Sequence, residues 1–249
     1  MNNILKERLA SNKVCIGGWI TAPTPVVAEA MARVGFHWVA VDMEHAPISE
    51  GDLQGVFIAL EKYDVAPMVR LPFADPSLGR RVLDAGAAGL IVPAVEDAIK
   101  FGEFAAHCFY PPKGTRGVGL SRCNGWGETF EDYLENFQPV LVPQIETVHG
   151  VAAAQEILAL DEVDAIFVGP YDLSANLGER GDFSAAEFKK SMEAIRHACT
   201  SAMKPAGIHQ VDPDPNALRN QVEAGFRFVA YGTDMIAMRA ALELPKNIQ

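Results

Sequence analysis

Short apolar runs alternate with segments of helical periodicity from one end of the 249-residue chain to the other, and this repeat limits the possible folds most strongly. Runs such as GLIV, VLV and AIFV are apolar without alternation, which is typical of parallel strands buried on both faces. After the first run, helical spacing places Val26, Ala30 and Val34 on one stripe. We expect eight strands, at residues 15–19, 37–41, 67–70, 88–92, 140–144, 164–168, 205–209 and 227–231.

The repeat favours an α/β fold of the (β/α)8 barrel type over a doubly wound sheet. A doubly wound sheet usually has fewer units and a glycine-rich first turn, whereas the first strand here runs into GGWITAPTP. The similar string GTRGVG, at 114–119, follows YPPK instead of a strand and is interpreted as a loop. Barrels of roughly 250 residues are common, so we assign residues 1–249 to a single domain.

The connection between the fourth and fifth predicted strands is much longer than the others. We interpret residues 108–137 as an insertion, because long loops of this kind usually form lids or subunit contacts. Its lysine, Lys113, is expected to be the one lysine able to reach the carboxyl ends of the strands. Lys13 and Lys204 precede strands, so a Schiff-base mechanism is not favoured.

The composition excludes several classes of partner. A formal net charge of −11, without a basic patch, disfavours nucleic acid and anionic membranes, which would repel the chain. The longest apolar stretches are far shorter than the ~20 residues that span a bilayer, so we expect a soluble cytoplasmic protein. The four cysteines form no Cys-x-x-Cys pair and are interpreted as core thiols.

Polar side chains follow several predicted strands at their carboxyl ends, where barrels of this type carry their chemistry. The second strand runs into DMEH at 42–45 and the third ends at Arg70. The fifth runs into QIE at 144–146, and the sixth into GPYD at 169–172. Because these strand ends surround one mouth of the barrel, we expect the side chains to lie close together.

The carboxylates of Glu146 and Asp172 predict a divalent cation site with positions left for substrate and water. The alternative is that each caps the helix that follows it. Arg70 closes an apolar strand, so its guanidinium is expected at the mouth, where it would bind a carboxylate or an oxyanion. Its alternative is a structural ion pair with Asp42 or Glu44.

His45 follows a buried strand and has Asp42 three residues earlier to orient it, which is the form of a general base held by a carboxylate. We interpret the other histidines as packing residues: His37, His107, His149, His197 and His209. The string DPDP at 212–215 indicates a turn and a helix start more than a ligand cluster.

Together these residues predict chemistry on an oxygenated anion bound to a metal. The metal and Arg70 would stabilise the enolate of a 2-oxo acid after a carbon–carbon bond is broken or a proton is removed. The strand ends GIHQ and YGTD lack the paired glycines of a barrel phosphate site, so phosphorylated substrates are disfavoured.

Four strings contain the polar strand ends described above, VDMEHAPIS, VRLP, PQIET and VGPYDLSANLG, and a fifth, YPPKGTRGVG, lies in the insertion. Through them the sequence resembles, over essentially its whole length, the HpcH/HpaI family of class II, metal-dependent pyruvate aldolases. The resemblance implies that Glu146 and Asp172 bind Mg²⁺ or Mn²⁺, with Co²⁺, Ni²⁺ or Zn²⁺ as further candidates. It also implies that the metal chelates pyruvate, with Arg70 and Gln144 on the pyruvyl oxygens.

The resemblance further implies how protons move and what surrounds the substrate. His45, oriented by Asp42, would handle the proton of the aldehyde-side hydroxyl through a metal-bound water, with Asp84 of a neighbouring subunit in the relay. Backbone amides at 171–172 would hold the pyruvate carboxylate. Trp19 and Val211 would line the pocket, and Tyr171, where the family often has a small residue, would narrow it or change subunit contacts.

The leading hypothesis is reversible retro-aldol cleavage of a 4-hydroxy-2-oxo acid, such as a 2-keto-3-deoxy sugar acid, to pyruvate and an aldehyde. One alternative is a related lyase or synthase that condenses an enolate with an oxo acid or acyl-CoA, and another is a non-catalytic binder of 2-oxo acids. The family implies a homo-hexamer, built as a trimer of dimers that exchange their last helix. Here that helix would be IAMRAALELP, at 236–245.

Overall fold

The computed structural model describes residues 3–242, which form a closed barrel of eight parallel strands in chain order. Strand β1 pairs with both β2 and β8, which closes the barrel and confirms the predicted (β/α)8 fold. Each predicted strand agrees with the observed one to within two residues at either end. The strands are β1 Cys15–Ile20, β2 Trp38–Asp42, β3 Ala66–Arg70, β4 Gly89–Val92, β5 Val140–Ile145, β6 Ile166–Val168, β7 Ala206–Gln210 and β8 Phe228–Tyr231.

Helices surround the barrel, and several start at a side chain that caps the first turn. Thr24, Asp75, Asp97, Thr147 and Asp214 each accept a hydrogen bond from a backbone amide two or three residues further on. The helices are α1 Ile4–Ala10, α2 Pro25–Ala32, α3 Glu50–Glu61, α4 Pro76–Asp84, α5 Ala98–Ala106, α6 Phe130–Asn136, α7 Val148–Leu158, α8 Pro170–Asn176, α9 Ala186–Ala202, α10 Pro215–Glu223 and α11 Asp234–Ala241.

The core has two layers, one between strands and helices and one inside the barrel. Inside the barrel, Trp38 stacks on Phe228 with 4.2 Å between ring centroids. A Cβ at Gly17 would overlap the Trp38 ring, so the glycine makes room for it. Leu5 and Leu9 of α1 pack against this inner layer. Because α1 covers the amino-terminal end, the opening lies at the carboxyl ends of the strands.

The long segment between β4 and β5 follows α5 and lies at the amino-terminal end of the barrel. It contains a 3-10 helix, Arg122–Gly127, whose first residue bonds to Glu61 at the end of α3. Lys113 Nζ lies 3.4 Å from Gln138 Oε1 and 4.1 Å from the centre of the Phe109 ring. The expectation that Lys113 reaches the carboxyl ends is wrong, since the segment comes after the helix has returned to the opposite end.

The apolar stripe assigned to α2 differs from the face that the helix buries. Val26 and Val34 are exposed, whereas Ala28 and Ala32 are buried. Small alanines allow α2 to pack closely against α3 and β1, so the larger valines face outwards. Three cysteines are buried as predicted, and Cys123 is half-buried.

Within residues 3–242 no helix is long and apolar enough to cross a membrane. Helix α11 includes residues 236–241 of the predicted final helix. The last three residues of that predicted helix, 243–245, lie outside the described residues. The exchange of this helix between subunits stays a prediction.

Candidate active site

The side chains at the mouth continue the inward-facing alternation of their strands. Residues of the inner layer, such as Ala40, Met68 and Val142, are each followed two positions later by a polar residue. Successive side chains of a strand point to opposite faces, so these polar residues also point into the barrel. They are Asp42 on β2, Arg70 on β3 and Gln144 on β5.

Arg70 is held by two acidic residues on β2 and the loop after it. Its Nε and Nη2 donate to Asp42 Oδ1 and Oδ2 at 2.9 and 2.6 Å, and its Nη1 lies 3.2 Å from Glu44 Oε2. Burial by itself would raise the pKa of Asp42, but the hydrogen bonds and charge of Arg70, together with the hydrogen bonds from Trp19 and the His45 amide, hold that pKa below its usual value. The ion pair that the sequence left open is therefore present, at the mouth of the barrel.

The expectation that Asp42 orients the imidazole of His45 is not met. Besides Arg70, the Asp42 carboxylate accepts from Trp19 Nε1 and from the backbone amides of Glu44 and His45. The His45 side chain is 65% exposed, and its Nε2 lies 3.7 Å from Glu44 Oε2. The two parallel hydrogen bonds of a guanidinium bind a carboxylate more strongly than one hydrogen bond from an imidazole does. A role of His45 as base stays a prediction.

Glu146, immediately after β5, is buried and held by hydrogen bonds at both oxygens. Oε1 accepts from the backbone amide of Ala94 at 2.7 Å, and Oε2 accepts from Gln144 Nε2 at 2.5 Å. Ala94 has a φ of 51°, a left-handed conformation that is unfavourable for a residue other than glycine. On the other side, a Cβ added to Gly169 would lie 2.5 Å from Glu146 Oε2. Strand β5 and the segments after β4 and β6 thus define one position for this carboxylate.

Asp172 is the third residue of α8, and its negative charge acts on Glu146. Burial is the main cause that raises the pKa of Glu146, and the charge of Asp172 raises it further. A divalent cation bound between the two carboxylates would stabilise their ionised forms and so offset both the burial and the mutual repulsion. The capping alternative is not what the structure shows, because Thr147 caps α7 and no side chain caps α8.

The donor set fits a cation that is only partly enclosed by protein. Among residues 3–242 no group of three or more His, Cys, Asp or Glu side chains could hold a metal. A site built on Glu146 and Asp172 therefore needs substrate and water as its other ligands, as an oxygen-binding cation in an open site does. Gln144 presents its amide donor to Glu146, and its buried Oε1 has no hydrogen-bond partner in the described structure. To donate to pyruvyl oxygens, the Gln144 amide would have to turn.

The structure brings some of the other predicted residues to the mouth and not others. Trp19 is buried below Arg70, whose guanidinium carbon lies 4.9 Å from the ring centre. Val211 lies just after β7 and is half-buried. Tyr171 is exposed, and its ring packs edge-to-face with that of Phe183, with 5.1 Å between the ring centres. Asp84 ends α4 at the opposite end of its own barrel, 2.6 Å from Arg116 Nη2, so its action in a neighbouring site stays a prediction.

His209, interpreted from the sequence as a packing residue, lies in the mouth. It follows the buried Gly207 of β7 by two positions, and its ring centre lies 4.7 Å from that of Trp19. Burial is the main cause that lowers the pKa of His209 to about 4, and the charge of Arg70 lowers it further. Strand alternation could have found His209. No sequence signal marks the backbone conformation of Ala94.

Comparison with known proteins finds relatives that are named as aldolases. The model of the HpcH/HpaI aldolase/citrate lyase family matches residues 16–241. A hydroxypyruvate/pyruvate aldolase of Pseudomonas aeruginosa is 38% identical over 247 residues, covering 97% of this chain and 91% of the relative. A 5-keto-4-deoxy-D-glucarate aldolase of Enterobacter sp. (strain 638) is 35% identical over 244 residues, covering 97% and 94%.

The fold agrees with a solved structure of the same description. An HpcH/HpaI aldolase/citrate lyase family protein from Burkholderia cenocepacia J2315 superimposes with a TM-score of 0.90 at 33% identity. The match covers 96% of each chain. The agreement therefore extends over nearly the full length of both chains.

Proposed function

The chain belongs to the HpcH/HpaI aldolase/citrate lyase family, and from that premise we propose that it is an aldolase, a carbon–carbon lyase. It cleaves a 4-hydroxy-2-oxo acid reversibly to pyruvate, or a close relative of pyruvate, and an aldehyde. The observation that carries the proposal is the pair Glu146 and Asp172 in the same barrel mouth as Arg70. Relatives named for hydroxypyruvate, pyruvate and a keto-deoxy sugar acid support this substrate class.

Glu146 and Asp172 would hold the divalent cation, Mg²⁺ or Mn²⁺. When bound, this cation supplies Lewis-acid polarisation of the 2-oxo group, which stabilises negative charge on the enolate. The hydrogen bonds from Ala94 and Gln144 keep the Glu146 carboxylate in one position before any ligand arrives. Such preorganisation lowers the cost of binding the cation and the charged substrate.

Arg70 binds the anionic end of the substrate. Asp42 and Glu44 fix the guanidinium against rotation, and the Trp19 ring supports it from below. The remaining N–H groups of Arg70 can then donate to a carboxylate or enolate oxygen without further ordering. Buried aromatic rings, Trp19 on Phe167 at 5.8 Å, close the floor beneath the site and exclude water from that side.

Two further groups complete the proposed site. The backbone amides at the start of α8, near Tyr171 and Asp172, assist in holding the substrate carboxylate. His45 accepts the proton of the substrate hydroxyl during cleavage and returns it in the reverse direction. The exposure of His45 allows the proton to exchange with solvent.

Proton exchange at pyruvate tests the proposal without knowledge of the aldehyde. In deuterated water, enzyme with Mg²⁺ or Mn²⁺ should remove the methyl proton signal of pyruvate, and EDTA should stop the exchange. Glu146→Gln should abolish it, because the cation loses a charged ligand. Glu156→Gln, an exposed residue of α7, is the matched control and should exchange normally. If wild type binds metal but shows no exchange, the aldolase proposal fails.

We further propose that the enzyme works in the cytoplasm as a homo-oligomer, a hexamer arranged as a trimer of dimers. The family resemblance supports this assembly, and light scattering in solution measures it. A monomer mass at micromolar concentration would contradict it.

A further inference from the structure

The imidazole of His209 occupies the last inward-facing position of β7 and is not among the groups that the proposed aldolase mechanism uses. It packs against Trp19 at 4.7 Å with the ring planes tilted by 32°. The charges of Arg70 and Asp42 both act on it, so it lies in the same mouth. Val168 pairs with Ile208, so Gly169 is level with His209 on the neighbouring strand and adds no side chain between the ring and the opening.

The contacts of the ring determine which nitrogen carries the proton. His209 Nε2 lies 3.4 Å from the Gly232 carbonyl oxygen and 3.4 Å from Thr233 Oγ1. A carbonyl oxygen only accepts, so Nε2 is the protonated nitrogen. With its pKa lowered to about 4, chiefly by burial, the ring is neutral near pH 7. Nδ1 is then an acceptor, and the hydrogen bonds of residues 3–242 leave it without a donor.

The proposed positions of the cation and of the anionic end of the substrate leave one side of the mouth for contacts with His209. Glu146 and Asp172 follow β5 and β6, and Arg70 ends β3, so the proposed cation and the anionic end of the substrate lie on that side. The remaining wall is formed by the ends of β7, β8 and β1, where His209 packs on the Trp19 ring of the floor. With the cation and the anionic end so placed, the part of the substrate that extends beyond the 2-oxo acid group would face this wall.

We propose that His209 Nδ1 accepts a hydrogen bond from a hydroxyl group of the substrate and makes the enzyme selective for hydroxylated substrates. This inference rests on the proposed aldolase function and adds the substrate class. The hydroxyl belongs either to the 2-oxo acid, as in hydroxypyruvate against pyruvate, or to the aldehyde, as in glycolaldehyde against acetaldehyde. His209 is half-buried, and a bound substrate that lacks the hydroxyl would shield Nδ1 from water and leave it unpaired, which disfavours that substrate.

Aldol addition kinetics with these two donors and two aldehydes, in all four combinations, separate the sources. Wild type should prefer the hydroxylated member of one pair. His209→Leu should lower kcat/KM for that member by about tenfold and change the other member less than about threefold, since one hydrogen bond is lost. His209→Asn places an amide oxygen near the position of Nδ1 and should retain most of the preference.

His37→Leu is the matched control, because it removes a part-buried, hydrogen-bonded imidazole at the other end of the barrel. It should leave the preference unchanged, and thermal unfolding of each variant reports whether it folds. Equal loss in all four reactions, or no change in His209→Leu, overturns the inference while pyruvate proton exchange continues. Absence of metal-dependent exchange in wild type overturns the aldolase proposal and this inference with it.

Discussion

Replacing Gly169 by alanine should weaken metal binding by displacing one carboxylate. The added Cβ would lie 2.5 Å from Glu146 Oε2, 2.9 Å from Glu146 Cβ and 3.4 Å from Gln144 Nε2. The first two separations are well inside van der Waals contact, so Glu146 has to move. Gly169 has φ −96° and ψ 88°, so its φ is negative and does not require glycine. The effect is therefore steric.

The magnitude follows from what the Glu146 carboxylate loses when it moves. Overpacking in a dense region costs about 1–3 kcal/mol. The carboxylate also gives up at least one of its hydrogen bonds, to Ala94 or Gln144, each worth about 1.5–3 kcal/mol for a charged acceptor. Neighbouring atoms can shift and so reduce the sum of these two costs. We therefore expect Gly169→Ala to lose about 2 kcal/mol of the free energy of Mn²⁺ binding, which corresponds to a roughly thirtyfold higher Kd.

Titration of Mn²⁺ into EDTA-treated protein, followed by electron paramagnetic resonance, measures this Kd independently of turnover. Gly119→Ala is the control, because nothing lies within 4 Å of its added Cβ. Glu146→Asp retracts the carboxylate, so the double variant Gly169→Ala/Glu146→Asp should bind Mn²⁺ more tightly than the two single losses would predict by addition. An unchanged Mn²⁺ Kd in Gly169→Ala, with normal folding, would refute the reasoning.

Three more predictions address the proton acceptor His45, the proposed metal ligand Glu146, and Asp234, which joins the start of α11 to the segment after β1. His45→Ala should lower turnover and leave the Mn²⁺ Kd within about threefold, because the imidazole is proposed to accept a proton and not to bind the metal. Loss of Mn²⁺ binding in this variant would contradict that role. The pKa of Glu146 is raised above the ordinary value of 4.5, so on acidification its carboxylate is protonated earlier than that of an ordinary glutamate. The affinity for Mn²⁺ should therefore begin to decrease while the pH is still above 4.5. An affinity that does not change between pH 7 and pH 4.5 would contradict this. Asp234→Ala should lower the free energy of unfolding by about 2–4 kcal/mol in urea titrations, since Asp234 accepts from both Thr21 donors and the Ala22 amide; a loss below about 0.5 kcal/mol would show that these bonds contribute little.

The fold was predictable because every unit of the repeat carries its own local signals. Apolar runs with short connections define the strands, and residues such as Asp75 and Asp97 cap the helices that follow. The orientation of α2 was not predictable in this way. Val26 and Val34 form an apolar stripe, but the helix buries Ala28 and Ala32 because close packing against α3 favours small side chains.

The candidate site was predictable where strand ends alone decide the location. Asp42, Arg70, Gln144 and Glu146 come together because parallel strands bring their carboxyl ends to one mouth. Which side chain pairs with which could not be predicted from spacing. Asp42 lies three residues from His45 in sequence, yet its carboxylate binds Arg70 of the next strand at 2.6 Å.

The barrel, the order of its strands and the set of polar residues at its mouth follow from the amino-acid sequence, because periodicity, caps and turns act over a few residues. The arrangement of those polar residues depends on the folded barrel. The left-handed backbone of Ala94, the space left by Gly169 and the place of His209 beside Trp19 depend on closure of the barrel. Closure brings together residues distant in the chain, and their contacts then compete for the same carboxylates and the same volume.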